Sequence, residues 1–218
     1  MGLELIDLRI EFNHPKTLEF YQESKCIAEL YWSFLKEFNT NKVKRCNLIA
    51  SNNWGENLYN YTDWKETKGI NIPINFEEYF GGDNETKKKI QLNAIHNGMM
   101  KIAEHENWDL DPLIDAYNNC IKCGLMYSFI LNTFKSSPSR KFKISFECNW
   151  DIDLFEIHYI LTDKHNEILR KVKVFEKPSN KGELVYHLKW KWIDEQNVLL
   201  TDAYKYGDNE FWNITIQQ

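Results

Sequence analysis

Glycine and proline are scarce in this chain of 218 residues, which has nine glycines and five prolines. No Gly-x-Gly-x-x-Gly or Gly-x-x-x-x-Gly-Lys-Ser/Thr pattern is present, so the sequence offers no familiar phosphate-binding loop. It also lacks a Gly-x-Ser-x-Gly nucleophile elbow. Catalytic side chains can converge from distant positions, so these absences lower the expectation of an enzyme without excluding one.

An excess of basic residues is missing as well, because 27 Lys and Arg face 32 Asp and Glu, for a net charge of −5. Nucleic-acid-binding domains rely on a basic surface, so we expect no direct binding of nucleic acid. No run approaches the roughly 20 apolar residues of a membrane span. The opening residues MGLELID lack the basic and apolar parts of a secretory signal. We therefore expect a cytoplasmic protein that does not enter a membrane.

The cysteines are few and odd in number, which favours reduced thiols over a disulfide framework. They are Cys26, Cys46, Cys120, Cys123 and Cys148. The Cys120-Ile-Lys-Cys123 motif has no second pair of ligands with which to complete a zinc site. It also lies at the predicted C-terminal end of a helix, where the helix dipole disfavours a thiolate. We expect these thiols to be structural, and we expect no metal or other cofactor.

The first part of the chain mixes strands with one long helix. Residues 3–12 alternate between apolar and charged side chains, which predicts a strand with one exposed face. Apolar residues then recur at spacings of three and four, which predicts an amphipathic helix over residues 15–38. Residues 43–75 are strand-like. Pro73 predicts that the last of these strands lies at a sheet edge, because proline cannot donate to the hydrogen-bond ladder.

Two further helices are predicted in the middle of the chain. The first covers residues 84–106, and the second begins at Asp111 as N-cap with Pro112 in the first helical position. One face of the second helix carries Ile114, Tyr117 and Ile121. Gly124 supplies a natural end for this helix. The apolar run 125–134 fits either a helix or a strand, and we expect a helix.

Beyond Pro138 the pattern changes to strands joined by short polar turns, which indicates an antiparallel meander of five to six strands. The predicted strands cover residues 142–148, 155–161, 168–176, 184–192, 197–204 and 210–216. The fold class is therefore α+β. An N-terminal strand, an amphipathic helix, short strands and two to three helices precede the meander. We expect a mixed portion, 1–138, and a β portion, 139–218, that share one core in a single compact domain.

Acidic residues are concentrated in the segment EHENWDLDPLID, which contains no Lys or Arg. They are Glu104, Glu106, Asp109, Asp111 and Asp115. Asp111 and Asp115 suit the start of a helix, where negative charge is favourable. Glu104 and Glu106 lie at the unfavourable end of the preceding helix. One interpretation of the cluster is a solvated helix junction, which accounts for two of the five acids, and the other is a surface that attracts a basic partner.

Aromatic residues are concentrated in the segment WGENLYNYTDW, which contains Trp54, Tyr59, Tyr61 and Trp64. Large aromatics with a polar group are enriched in interfaces and at binding hot spots. The same residues could instead pack as the apolar face of a strand. They could also stack on the rings of sugars or bases.

These features lead to one main functional hypothesis and two alternatives. The main hypothesis is a protein-binding protein, most sharply a bacterial immunity-type protein that occludes a basic toxin domain with its acidic and aromatic surfaces. The first alternative is a hydrolase or lyase in which His105, Asp109 and Asp111 form an acid/base or metal cluster. The second is a small-molecule or glycan binder that uses the aromatic segment. The sequence leaves the oligomeric state open.

Overall fold

Helices and sheets are combined in an α+β fold, as the sequence predicts. The computed structural model describes residues 3–11, 14–52, 59–131, 134–204 and 210–216. The chain divides into two units, Met1–Tyr127 and Ser128–Gln218. Among the described residues, no helix combines the length and the apolar character that crossing a membrane requires.

The first unit contains a four-stranded sheet with helices. Its elements are β1 (Leu5–Ile10), α1 (Thr17–Ser33), β2 (Arg45–Ser51), β3 (Tyr61–Trp64), β4 (Thr67–Pro73), α2 (Phe76–Gly81), α3 (Asn84–Glu106) and α4 (Asp111–Lys122). The strand order is β1-β2-β4-β3. β1, β2 and β4 run parallel, and β3 runs antiparallel to β4. A parallel pair needs a crossover connection, and α1 supplies it between β1 and β2.

The core of this unit lies on one face of the sheet. Leu8, Leu48 and Ile70 are aligned in register across three strands, and all three are buried. α3 approaches this face closely at Gly98. A Cβ atom at that position would lie 2.5 Å from Ile72 Cδ1 and 2.9 Å from Leu48 Cδ2. The missing side chain of Gly98 therefore lets α3 pack directly on the apolar row.

The long helices confirm most of the predicted pattern, with corrections at their ends. α3 covers the predicted residues 84–106, and the Asp83 carboxylate caps it by accepting the Thr86 N–H at 2.8 Å. α1 ends at Ser33, before the predicted residue 38, although Leu35 and Phe38 are buried beyond its end.

The predicted start of α4 is one residue late, and its predicted end is confirmed. Asp111 is the first helical residue and Leu110 is the N-cap. Instead of Asp111 acting as a cap, the Asp109 carboxylate accepts the Asp111 N–H at 3.1 Å. Gly124 has a φ of +64°. It ends the helix as predicted, because its N–H bonds the Ile121 carbonyl at 2.9 Å and the next N–H bonds Cys120 at 3.1 Å.

The prediction that Pro73 marks an edge strand is wrong. β4 lies between β2 and β3 in the sheet. Pro73 is nevertheless tolerated because it is the last residue of β4. The described register with β3 ends three residues earlier, at the pair Tyr61 and Ile70. Proline therefore removes no ladder bond toward β3.

In its described residues, the second unit contains strands and one 3-10 helix. Its elements are β5 (Tyr127–Ile130), β6 (Lys135–Ser136), β7 (Phe142–Trp150), β8 (Leu154–Asp163), β9 (Ile168–Pro178), the 3-10 helix (Ser179–Tyr186), β10 (Leu188–Trp192), β11 (Asn197–Asp202) and β12 (Phe211–Thr215). β7, β8 and β9 form an antiparallel meander to which β5 and β6 are added. β10, β11 and β12 form a second antiparallel meander. The predicted antiparallel arrangement is confirmed.

Two segments differ from their predicted secondary structure. Residues 127–130 form β5 instead of a helix, and their exposure alternates with the period of two that a strand requires. The 3-10 helix takes up Leu184 and Tyr186, which the sequence pattern assigns to a strand, and β10 begins only at Leu188. In both places a short apolar run is compatible with more than one local structure, and the neighbouring strands decide between them.

Candidate functional site

The aromatic and acidic segments meet where β3 lies beside the C-terminal end of α3. Tyr61 on β3 donates a short hydrogen bond from its hydroxyl to the Glu106 carboxylate. Its ring stacks on the His105 ring, with centroids 4.2 Å apart and planes 15° apart. Two segments that are separate in the sequence therefore form one contact.

Lys68 on β4 holds this contact in place. Its ammonium nitrogen lies 2.6 Å from Asp63 Oδ1 and 3.3 Å from Glu106 Oε1. Burial acts to lower the pKa of Lys68, but its bonds to Asp63 and Glu106 outweigh burial and raise it. Burial, together with the bond to Glu106, also raises the pKa of Tyr61. Both groups therefore keep their protons at neutral pH, and the cluster joins β3 to α3 without supplying a base from either of them.

Glu104 is compensated in the same way by another lysine. Its carboxylate lies 2.7 Å from the Lys101 ammonium, one turn earlier in α3. The Lys101 ammonium also lies 5.7 Å from the centre of the Tyr59 ring. Negative charge at a helix C-terminus is unfavourable. Lys101 therefore offsets the charge of Glu104, and Lys68 offsets the charge of Glu106. The positions of these two acids relative to the helix ends do not by themselves account for their charge.

The described aromatic residues of the segment, Tyr59, Tyr61 and Trp64, do not form one surface. Tyr61 and Trp64 are three residues apart on a strand, so their side chains leave opposite faces of the sheet. Tyr61 faces α3, whereas Trp64 is 74% exposed. Trp54 lies outside the described residues. The structure thus brings Tyr59 and Tyr61 to the end of α3 and leaves Trp64 on the other side of β3.

The outer face of α4 carries Asp111 and Asp115, the last two acids of the acidic segment, beside exposed aliphatic side chains. We define this face by its exposed residues, which are Asp111, Ile114, Asp115, Asn118, Ile121 and Lys122. Ile114 is 42% exposed and Ile121 is 49% exposed. The buried side of the helix is instead formed by Leu113, Ala116 and Cys120.

Sequence reasoning found the face that contains Ile114 and Ile121 but missed its exposure to solvent. The sequence of α4 does indicate some exposure, because the helix has two apolar stripes. Leu113, Ala116 and Cys120 form one stripe, and Ile114, Tyr117 and Ile121 form the other. A helix at the surface of a protein buries one such stripe against the core. Of the second stripe, Tyr117 donates a hydrogen bond to Asn93 at 2.9 Å and packs on the His96 ring, whereas Ile114 and Ile121 stay exposed next to Asp111 and Asp115.

Contacts with buried residues hold the start of α4 in place. Trp108, in the connection from α3, is buried and meets the Phe38 ring edge-on, with centroids 5.5 Å apart. Its backbone N–H bonds the Ala103 carbonyl at 2.9 Å. The buried Tyr31 hydroxyl donates to the Leu113 carbonyl at 3.0 Å. These contacts fix the first turn of α4 and, with it, the positions of the acids on the outer face.

Two side chains of the enzyme alternative, those of His105 and Asp109, contact neighbouring groups in this geometry. His105 stacks on Tyr61, and the Asp109 carboxylate accepts the Asp111 N–H. Across the part of the chain that the structure describes, no three His, Cys, Asp or Glu side chains are grouped to hold a metal ion. Cys120 is buried and Cys123 is exposed, and burial raises the pKa of the Cys120 thiol to about 12.

The candidate site is therefore a surface: the outer face of α4 together with the acids at the junction of α3 and α4. Its acidic groups are the carboxylates of Asp109, Asp111 and Asp115, accompanied by Asn118 and a single lysine, Lys122, and its apolar groups are branched aliphatic side chains. Comparison of the chain with known protein families, curated proteins and solved structures finds no match.

Proposed function

We propose that this chain binds another protein through the outer face of α4. In its sharpest form, the proposal is a bacterial immunity-type protein that neutralises a toxin by covering a basic surface of it. The observation that carries the proposal is the side-by-side exposure of Ile114 and Ile121 with Asp111 and Asp115 on one helix. Exposed aliphatic groups contribute affinity when a partner covers them. A cluster of negative charges favours a partner that carries positive charge.

The aliphatic part of this surface gains from being covered. Full burial of an isoleucine side chain is worth roughly 1.5–3 kcal/mol. Since Ile114 and Ile121 are already about half covered by the chain itself, about 1 kcal/mol each remains to be gained. Two such contacts cannot give a tight complex alone, so the charged residues must contribute as well.

The charged part of the surface favours a basic partner. Asp109, Asp111 and Asp115 are exposed at the junction and on α4, whereas Lys101 offsets the charge of Glu104. A local excess of one sign of charge raises association rates with an oppositely charged protein and disfavours partners of like charge. Toxins that degrade nucleic acid present basic active sites, which makes them the class of partner best matched to these acids.

Isolation of the partner and measurement of its toxicity test the proposal. The full chain, carrying an affinity tag, is purified from the cells that naturally produce it. We expect one basic protein in stoichiometric amount. We also expect that protein to arrest the growth of a bacterial host when expressed alone, and co-expression of the chain to restore growth. Recovery of no stoichiometric protein, or of one whose expression does not affect growth, contradicts the immunity role.

A further inference from the structure

The sheet of the first unit has a second face, opposite the one against which α3 packs. Alternate residues of a strand point to opposite faces, so strand register decides which side chains lie there. They include Arg45 and Asn47 of β2, Thr67 and Asn71 of β4, and Thr62 and Trp64 of β3. We call these six residues the polar face. The proposed function does not use this surface.

The polar face has hydrogen-bonding groups that the protein itself leaves unused. The strand segments that carry it, residues 45–51 and 61–73, belong entirely to the described chain. Within the described residues, none of the six side chains forms a hydrogen bond or an ion pair, even though Asn47 and Asn71 are partly buried. Their amide, hydroxyl, guanidinium and indole groups are therefore available to a bound molecule.

Trp64 and Arg45 lie in one row across three strands. Both are paired with Thr67, from opposite sides of β4. Because adjacent strands are about 4.8 Å apart, the backbones of Trp64 and Arg45 are about 10 Å apart. Beside this row, the Thr62 hydroxyl occupies the space that a side chain at Gly69 would take. A saturated six-membered ring that lies on the exposed Trp64 indole can therefore reach the Arg45 guanidinium with a substituent.

Charged groups around this row favour an anion. Arg45, and Lys65 in the turn after β3, have no carboxylate partner in the part of the chain that the structure describes. Lys44, the next cation, lies 3.0 Å from Glu66 Oε2 and also interacts with Glu4. Among these groups three cations face two carboxylates, so positive charge is in excess. Arginine binds a carboxylate through two parallel N–H···O bonds, and one carboxylate would balance the excess.

We propose that the polar face binds a carbohydrate whose ring carries a carboxylate, the chemistry of a uronic acid. The C–H face of the sugar packs on the Trp64 indole, and Arg45 binds the carboxylate. The sugar hydroxyls bond to the amide and hydroxyl groups between them. A single-stranded nucleic acid fits less well, because every nucleotide adds a phosphate and the face has few cations. The site is separate from the α4 face, and its test is independent of the proposed function.

Binding of methyl β-D-glucuronide and of methyl β-D-glucoside tests the proposal, because the two differ only in a carboxylate against a hydroxymethyl group. Both are titrated into the full, ¹⁵N-labelled chain and followed by amide chemical shifts. We expect the glucuronide to bind at least about fivefold more tightly and to shift the amides of Arg45, Trp64 and Thr67. Oligothymidylate is titrated in parallel, and shifts of the same amides at lower concentrations than the glucuronide requires would assign the face to nucleic acid and contradict the proposal.

Substitution of Arg45 and Trp64 separates the two contributions. We expect Arg45→Gln to remove the preference for the glucuronide and to leave binding of the glucoside unchanged. Trp64→Leu should weaken both ligands about fivefold. The matched controls, Arg140→Gln and Phe211→Leu, are exposed in the second unit and should change neither affinity. Equal binding of the two glycosides by the wild type, no binding of the glucuronide, or an unchanged preference in Arg45→Gln overturns the proposal.

Discussion

At the scale of single residues, a few long-range polar contacts explain charges that the local sequence leaves unexplained. Glu106 lies at the C-terminal end of α3, where its charge is unfavourable. Its compensating partners, Lys68 and Tyr61, come from two strands far away in sequence. Helix periodicity predicts where Glu106 lies along the helix, but only the tertiary fold determines which groups surround it.

We predict that Lys68→Met destabilises the protein more than loss of an exposed lysine does. Lys68 is buried between Asp63 and Glu106, so its removal leaves a partly buried carboxylate without its cation. The expected loss in the free energy of unfolding is roughly 1–3 kcal/mol. Urea unfolding measures it, with Lys89→Met as control because the Lys89–Glu85 pair is exposed. Equal effects of the two substitutions would show that Lys68 does not hold β3 to α3.

His96 makes the stability of the first unit depend on pH. The Tyr31 hydroxyl uses its proton for the Leu113 carbonyl, so His96 Nδ1, 3.1 Å away, must donate to that hydroxyl. The His96 ring also packs against the Tyr117 ring, with centroids 4.6 Å apart. Burial lowers the pKa of His96 below its value in an unfolded chain. The unfolded state therefore binds a proton more readily than the folded state does.

The free energy of unfolding should accordingly fall as the pH drops below about 6.5, the pKa of an unperturbed histidine. The loss continues until the pH passes the lowered pKa of His96 in the folded protein. Urea unfolding at about pH 7.5 and about pH 5 measures it, above the range in which most carboxylates titrate. His96→Asn keeps an N–H donor for Tyr31 but does not titrate, so it should lose less stability at the lower pH. An identical loss in the variant would exclude His96 as the cause.

At the scale of elements, sequence patterns predict long helices well and short apolar runs poorly. α3 has the predicted bounds because an Asp83 cap, a long periodic segment and a left-handed Asn107 all agree. The run after Gly124 has no such signals. Its residues become a strand because they pair with β7, an interaction that no local pattern specifies. Likewise, the parallel order of β1, β2 and β4 depends on how the helices cover the sheet and not on any one strand.

Gly98 sets how closely α3 approaches the sheet, and we predict that Gly98→Ala is destabilising. The added methyl would overlap side-chain atoms of Ile72 and Leu48, both buried in a packed core. The expected cost is roughly 1–3 kcal/mol, as for other overpacked cores. Thermal or urea unfolding measures it, with Gly81→Ala as control because no atom lies within 4 Å of a Cβ at that position. A Gly98→Ala variant as stable as the control would contradict the close packing of α3.

At the scale of the whole molecule, charge is unevenly distributed along the chain. Through residue 138 there are 15 basic and 19 acidic residues, and after it 12 and 13. The acidic segment identified from sequence lies at the α3–α4 junction and supplies the charge of the candidate surface. Its aliphatic neighbours, Ile114 and Ile121, could not be assigned to solvent from the sequence alone. Which of two apolar stripes a helix buries depends on the elements packed against it.

The association rate of the isolated partner with the chain tests the proposed binding surface most directly. Stopped-flow measurements at low and high ionic strength compare the wild type with Asp111→Lys/Asp115→Lys. The matched control is Glu4→Lys/Glu167→Lys, which changes the net charge equally at exposed positions outside α4. At low ionic strength we predict that the α4 variant associates about tenfold or more slowly, that the control stays within about threefold of the wild type, and that salt reduces the difference. Equal rates for both variants, or a loss of rate in the control alone, would show that the outer face of α4 is not the binding surface.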